Sequence, residues 1–110
     1  MEIDLQQRNG IKLISLVGEL NSDTSNPAYD RVATMIQPRD RVLLDMSSVS
    51  YMSSAGIRTL LLLYRGITSN GGRVVLVGLN EYLRDTLDIT GFLEFFSVHP
   101  SVDEGLQALQ

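Results

Sequence analysis

Two unbroken apolar runs, Val42-Leu43-Leu44 and Val74-Val75-Leu76-Val77, flank a helical repeat and limit the possible folds more than any other feature. A strand with one wet face alternates apolar and polar residues. A run without alternation suits a strand covered on both faces, as in a parallel sheet. Between the runs, Ile57, Leu60, Leu61, Tyr64 and Ile67 recur at helical spacing. That spacing predicts a helix over residues 54–69, stopped by Asn70-Gly71-Gly72. Strand, helix and strand in this order read as a right-handed parallel crossover.

The rest of the chain extends the pattern. EIDLQQR and IKLISLVG are separated by Asn9-Gly10, a pair suited to the positive-φ positions of a tight turn, which predicts an N-terminal antiparallel pair. GELNSDTSNP is rich in capping residues. Pro27 suits the first turn of a helix capped by one of Ser22 to Asn26, and Ala28, Val32, Met35 and Ile36 repeat helically up to Pro38. Asn80 is placed to cap a short helix through Leu83 and Leu87 that closes at Gly91. Phe95 to Val98 is a weaker strand signal. Ser101-Val102-Asp103-Glu104 has the form of a capping box opening a last helix. The predicted order is β-β-α-β-α-β-α-β-α, in one domain over residues 1–110.

Composition narrows the function. With no cysteine there is no disulfide framework and no thiolate metal site, and the single histidine, His99, has no second imidazole to share a zinc ion. Asp23, Asp30, Asp40 and Asp45 are scattered, without the spacing of a metal loop. Thirteen acidic against nine basic residues give a net charge of −4, which argues against nucleic acid and points to protein partners. No leader pattern and no apolar run of membrane-spanning length is present, so the cytoplasm is the expected location and direct membrane insertion is not expected. No cofactor is expected. A serine hydrolase would need a Gly-x-Ser-x-Gly elbow and a base, and only a trailing glycine is present. No lysine follows a glycine-rich turn, so there is no P-loop. A non-enzyme is expected.

Ser53-Ser54-Ala55-Gly56 stands at the junction of strand and helix, and packing alone gives no evident reason for four small residues there. Two readings are open. One of the serines is simply the helix N-cap, a role for which serine is among the best residues. Alternatively, Ser54 is an exposed hydroxyl whose phosphate would meet the positive end of the helix dipole. On the polar side of the same helix, Arg58, Arg65 and Ser69 are joined by Leu62, with Leu63 at the border. An apolar residue inside a basic face suits a partner contact, although single exposed leucines are common.

Residues 45–57, DMSSVSYMSSAGI, resemble the signature of STAS domains, shared by sulfate transporters and anti-sigma factor antagonists. The resemblance extends to Gly18-Glu19-Leu20, Gly71-Gly72 and the region of Thr90-Gly91-Phe92, and the length is similar to that of the free-standing bacterial antagonists. It implies a STAS-like α/β fold with a mixed sheet, an N-terminal antiparallel pair, β-α-β crossovers and helices mainly on one face. In this family the apolar strand ends in aspartate and a short loop leads to the helix. The resemblance also implies a phospho-switch in transcription regulation by partner switching. The unphosphorylated antagonist binds an anti-sigma factor that is also a serine kinase with a histidine-kinase-like ATPase fold. Phosphorylation releases it, and a metal-dependent serine/threonine phosphatase restores binding. By position the acceptor is Ser54, with Ser53 a competing acceptor. Asn21, Asp23, Ser53, Ala55, Gly56, Arg58, Leu62 and Arg65 are the expected partner-binding residues. Ser53 and Asn21 stand where the family usually has aspartate, which removes negative charge from the kinase-facing surface. The alternative is a non-phosphorylated structural subunit of a scaffold or of a lipid-transport complex.

Overall fold

The computed structural model describes all 110 residues. Strands β1 (Glu2–Arg8) and β2 (Ile11–Leu20) form the predicted hairpin, with Asn9 and Gly10 both at positive φ in the turn. The chain continues through α1 (Ser25–Met35), β3 (Arg41–Met52), α2 (Ser54–Ser69), β4 (Arg73–Val77) and α3 (Glu81–Ile89). A 3-10 turn over Leu93–Phe95, β5 (Ser97–His99) and α4 (Val102–Ala108) complete it. The weak strand signal thus begins two residues later than expected, because Phe95 belongs to the turn.

The sheet order is β1-β2-β3-β4-β5, the order of the chain. β1 is antiparallel to β2, and the remaining neighbours are parallel. Each crossover therefore moves one place in the same direction. Right-handed crossovers that all move one way deliver their helices to the same face. This explains why α1, α2 and α3 share a face, burying Ala28, Val32, Ile57, Leu60, Leu83 and Leu87 against Ile14, Leu44, Met46 and Leu76. The opposite face has only α4, whose Leu106 and Leu109 pack on Ile11, Leu13, Leu43, Val75 and Val77. Arg41 Nη1 and Arg73 Nη2 donate to the carbonyls of Leu109 and Ala108, at 2.9 Å each, which places two cations at the negative end of α4.

Local chemistry sets the helix ends. Asn80 Oδ1 accepts from Leu83 N–H at 2.7 Å, and Ser101 Oγ accepts from Glu104 N–H at 3.2 Å, both as the sequence predicts. α1 differs. Its N-cap is Thr24, inside the expected window, but no side chain caps the helix; instead Asn21 Oδ1 accepts from Asp23 and Thr24 N–H in the turn before it, and Thr24 Oγ1 accepts from Asn21 N–H. The stretch before β3 is held by Asp40, whose Oδ2 accepts from Gln37 N–H and pairs with Lys12 Nζ, both at 2.7 Å. Partial burial pushes the Asp40 carboxyl up, but the Lys12 hydrogen bond, the Gln37 N–H and the Lys12 charge outweigh it and hold it below its ordinary value.

Candidate functional site

β3 does not end at Asp45 in a loop, as the family resemblance implied. It runs on to Met52, past the last β4 pairing at Asp45–Val77, paired only with β2. Its register slips twice on the way. Ser15 faces Asp45 but Val17 faces Ser48, and Gly18 faces Val49 but Glu19 faces Tyr51, so β3 carries one extra residue at each bulge. Asp45 Oδ1 stabilises the first bulge by accepting from Ser47 N–H at 3.0 Å and Ser47 Oγ–H at 2.7 Å. The second bulge brings Met52 opposite Leu20, so Gly18-Glu19-Leu20 and Ser53-Ser54 meet at one end of the sheet.

Gly56 explains part of the small-residue run after all. It is buried, and a Cβ there would lie 2.4 Å from the Leu20 carbonyl oxygen and 2.7 Å from Met52 Cγ. The first turn of α2 packs too closely on the sheet for any side chain at this position. Packing thus accounts for a residue expected to touch a partner.

The two serines divide the remaining work. Ser53, extended at φ −85° and ψ 179°, is the N-cap, its Oγ accepting from Gly56 N–H at a long 3.5 Å. Ser54 is the first helical residue. It is exposed and its hydroxyl makes no hydrogen bond within the chain. The cap and the bare hydroxyl are separate residues, so the two readings of the serines describe different positions.

Ser54, Arg58 and Leu62 follow one another at i, i+4 and i+8 and are all exposed, with Arg65 on the same side and Ala55 half-buried at their edge. Leu63 is buried at 4% exposure while Leu62 stands at 37%, so Leu63 belongs to the core rather than the border. Across from this row lies the start of α1, joined to α2 by Thr59 Oγ1 donating to the Ser25 carbonyl at 3.3 Å. Between them is an open cleft of about 610 Å³ lined by Ser22, Ser25, Asn26, Ser54, Ala55, Arg58, Thr59 and Leu62. Asn21 and Asp23 are not among these residues. Asn21 is engaged in the turn before α1, and Asp23 lines a separate groove with Met1, Ile3 and Arg31. Ser22 and Asn26 stand in the cleft instead. They belong to the capping-rich stretch, but nothing in its composition tells which members face α2.

Leu62 also borders two further grooves. One separates α2 from α1, and the other, of about 380 Å³, runs between Arg58, Leu61, Tyr64 and Arg65 of α2 and Phe92 and Phe95 beyond α3. The chain's one ion pair is Lys12–Asp40, so neither Arg58 nor Arg65 is neutralised by a carboxylate. No group of three or more His, Cys, Asp or Glu side chains is placed to hold a metal ion, and no helix is long and apolar enough to cross a membrane. His99 Nε2 lies 2.9 Å from Ser97 Oγ at the far edge of the sheet.

A five-stranded mixed sheet wound in one direction, with a bare serine heading its longest helix, defines a small α/β domain whose candidate site is a helix N-terminus. The chain belongs to the STAS domain family, whose model matches residues 2–105. It is 29% identical over 111 residues to BtrV of Bordetella bronchiseptica, which carries the anti-sigma factor antagonist designation, covering 100% of this chain and 96% of that one. It is 26% identical over 111 residues to the anti-sigma F factor antagonist of Paenibacillus polymyxa, covering 99% and 92%. In solved structures the fold is similar to that of an anti-sigma factor antagonist from Mycobacterium paratuberculosis, with a TM-score of 0.88 and 20% identity over 98% of this chain and 92% of that one. It is also similar to part of the murine anion transporter Slc26a9, with a TM-score of 0.85 and 21% identity over 96% of this chain and 18% of that one. The fold is therefore common to free-standing regulators and transporter domains and does not choose between them.

Proposed function

We propose that this chain acts as a single STAS domain over residues 1–110, a phospho-switchable antagonist of an anti-sigma factor in the cytoplasm. Unphosphorylated, it binds an anti-sigma factor that is also a serine kinase; phosphorylation of Ser54 releases it, and a metal-dependent phosphatase returns it to the binding form. The observation that carries the reading is the division of labour at the head of α2. Ser53 is held in the cap, which leaves Ser54 as the hydroxyl free to meet an incoming phosphoryl group. The names of the full-length relatives support the antagonist role over the structural subunit. The chain itself does no chemistry here, because nucleotide, metal and base belong to the kinase.

Transfer breaks the bond from the γ-phosphorus of ATP to its bridging oxygen, forms the bond to Ser54 Oγ and releases ADP, the hydroxyl proton passing to the kinase's base. The product dianion sits at the positive end of α2, where the fold tolerates it. The partner meets the same charge at a closely packed interface, where it must be desolvated. The test is peptide mapping after incubation with ATP and the partner kinase. Phosphate on Ser54 is expected; phosphate on Ser53 alone, or none, defeats the assignment.

A further inference from the structure

The groove between α2 and the Phe92–Phe95 turn has its complement elsewhere on the same chain. On α2, Arg58, Leu62 and Arg65 fall within about 60° of one another around the helix, and the two arginines are seven residues apart, about 10.5 Å along the axis. The α2 wall carries an arginine at each end and the lining between is apolar and aromatic, Leu61, Leu62, Phe92 and Phe95, while the opposite turn adds only the exposed Glu94. The outer face of α3 has the opposite character at the same spacing. Glu81 and Asp88 are also seven residues apart, as are Tyr82 and Ile89, with Asp85 between. Leu83 and Leu87 point inward, so these five side chains are exposed. Ile89 is exposed at 86%, more than any other large apolar residue, and Tyr82 is steadied by stacking on Tyr51 at a ring separation of 5.9 Å. Arg84 stands to one side of the stripe. None of these charged groups has an ion-pair partner within the chain.

We infer that the occupant of the groove is α3 of a second copy. Tyr82 and Ile89 of one protomer enter the apolar lining of its partner, and Glu81 and Asp88 meet the two arginines. α2 and α3 pack on the same face of the sheet, so groove and helix lie in one layer of the molecule. One twofold axis then forms both contacts at once and closes the assembly as a dimer. Two helix-in-groove contacts with charged rims make a small, reversible interface that weakens as salt screens the rims. The dimer covers Arg58, Leu62 and Arg65. If the partner-binding reading holds, self-association and partner binding therefore exclude each other.

Sedimentation equilibrium of the full chain, from micromolar to near-millimolar loading and at low and high salt, tests this without any partner protein. The wild type is expected to pass from monomer to dimer, less readily at high salt. The double variants Arg58→Glu/Arg65→Glu and Glu81→Lys/Asp88→Lys each set like charges against each other at both contacts. Each is expected to lower the association constant at least about tenfold, with an unchanged circular dichroism spectrum. Mixed in equal amounts they pair opposite charges at both contacts, so the mixture is expected to recover the dimer that neither forms alone. Ile89→Asp is expected to abolish it in every combination. A wild type that stays monomeric at all loadings overturns the proposal and leaves the groove to a foreign acidic helix. A dimer indifferent to both double variants, a mixture no more associated than its components, or oligomers growing beyond two overturn it equally.

Discussion

At the scale of single residues, the site is decided by which serine is engaged. Ser53 holds the Gly56 N–H, so Ser53→Ala should lower stability by about 0.5–1 kcal/mol, read as a shift in chemical denaturation midpoint. Ser54 holds nothing, so Ser54→Ala should leave stability within about 0.5 kcal/mol of wild type. Ser54→Glu places a carboxylate in the first turn of α2, where the dipole contributes roughly 0.3–1 kcal/mol in its favour, so its melting should be unchanged or slightly higher. Against the partner kinase with nucleotide present, Ser54→Ala should bind persistently and Ser54→Glu should lose most affinity. Equal affinities of the two variants in titration would remove charge at this position from the account. The sequence carried the serine pair but not its division of roles, because the extended backbone at Ser53 follows from where β3 ends. Gly56 was legible only as a small residue. Its reason, the Leu20 carbonyl, comes from a strand more than thirty positions earlier in the chain.

Among the elements, α2 is legible to its boundaries because chemistry marks both ends, serines at the start and Asn70-Gly71-Gly72 at the stop. Its faces invite a paired measurement. Leu62→Glu should change stability by less than about 0.5 kcal/mol while weakening partner binding, whereas Leu63→Ala should cost about 2–5 kcal/mol by opening a cavity. Thermal denaturation separates them, and a collapse of Leu62→Glu would place that side chain in the core. The second half of β3 is not legible in the sequence, because SSVS has neither alternation nor β-branched bulk beyond one valine. Only pairing with β2 reveals its bulges. The loop entering β3 makes a further prediction. The Asp40 carboxyl is held below its ordinary value, so its contribution is present above the unfolded pKa and disappears as pH falls through the lower folded value. Asp40→Asn should therefore be less stable than wild type at neutral pH, by about 1 kcal/mol, and the gap should close in acid below the usual carboxylate range. Denaturant titrations at several pH values check the sign.

For the molecule as a whole, the two faces of the sheet are unequally protected. Three helices cover one and α4 alone covers the other, so removing residues 101–110 should bare Leu13, Leu43, Val75 and Val77 together. The truncated chain should bind a hydrophobic dye and elute at higher apparent mass on gel filtration, since apolar patches of that size drive association. Unchanged elution and no dye binding would mean that α4 is dispensable for the core. The element order was legible because each strand and helix carries its own signal along the chain. The pairing order β1-β2-β3-β4-β5 adds something else, which concerns how the native state is reached. Every strand pairs only with its neighbours in sequence, so each pairing closes a loop no longer than one strand–helix unit and none waits for a distant segment. The search is thereby divided into a row of short ones, and a nucleus formed by any adjacent β-α-β unit can grow outward to both edges. Such a chain should fold faster than a Greek-key sandwich of equal length, where loop closures of high sequence separation must come first.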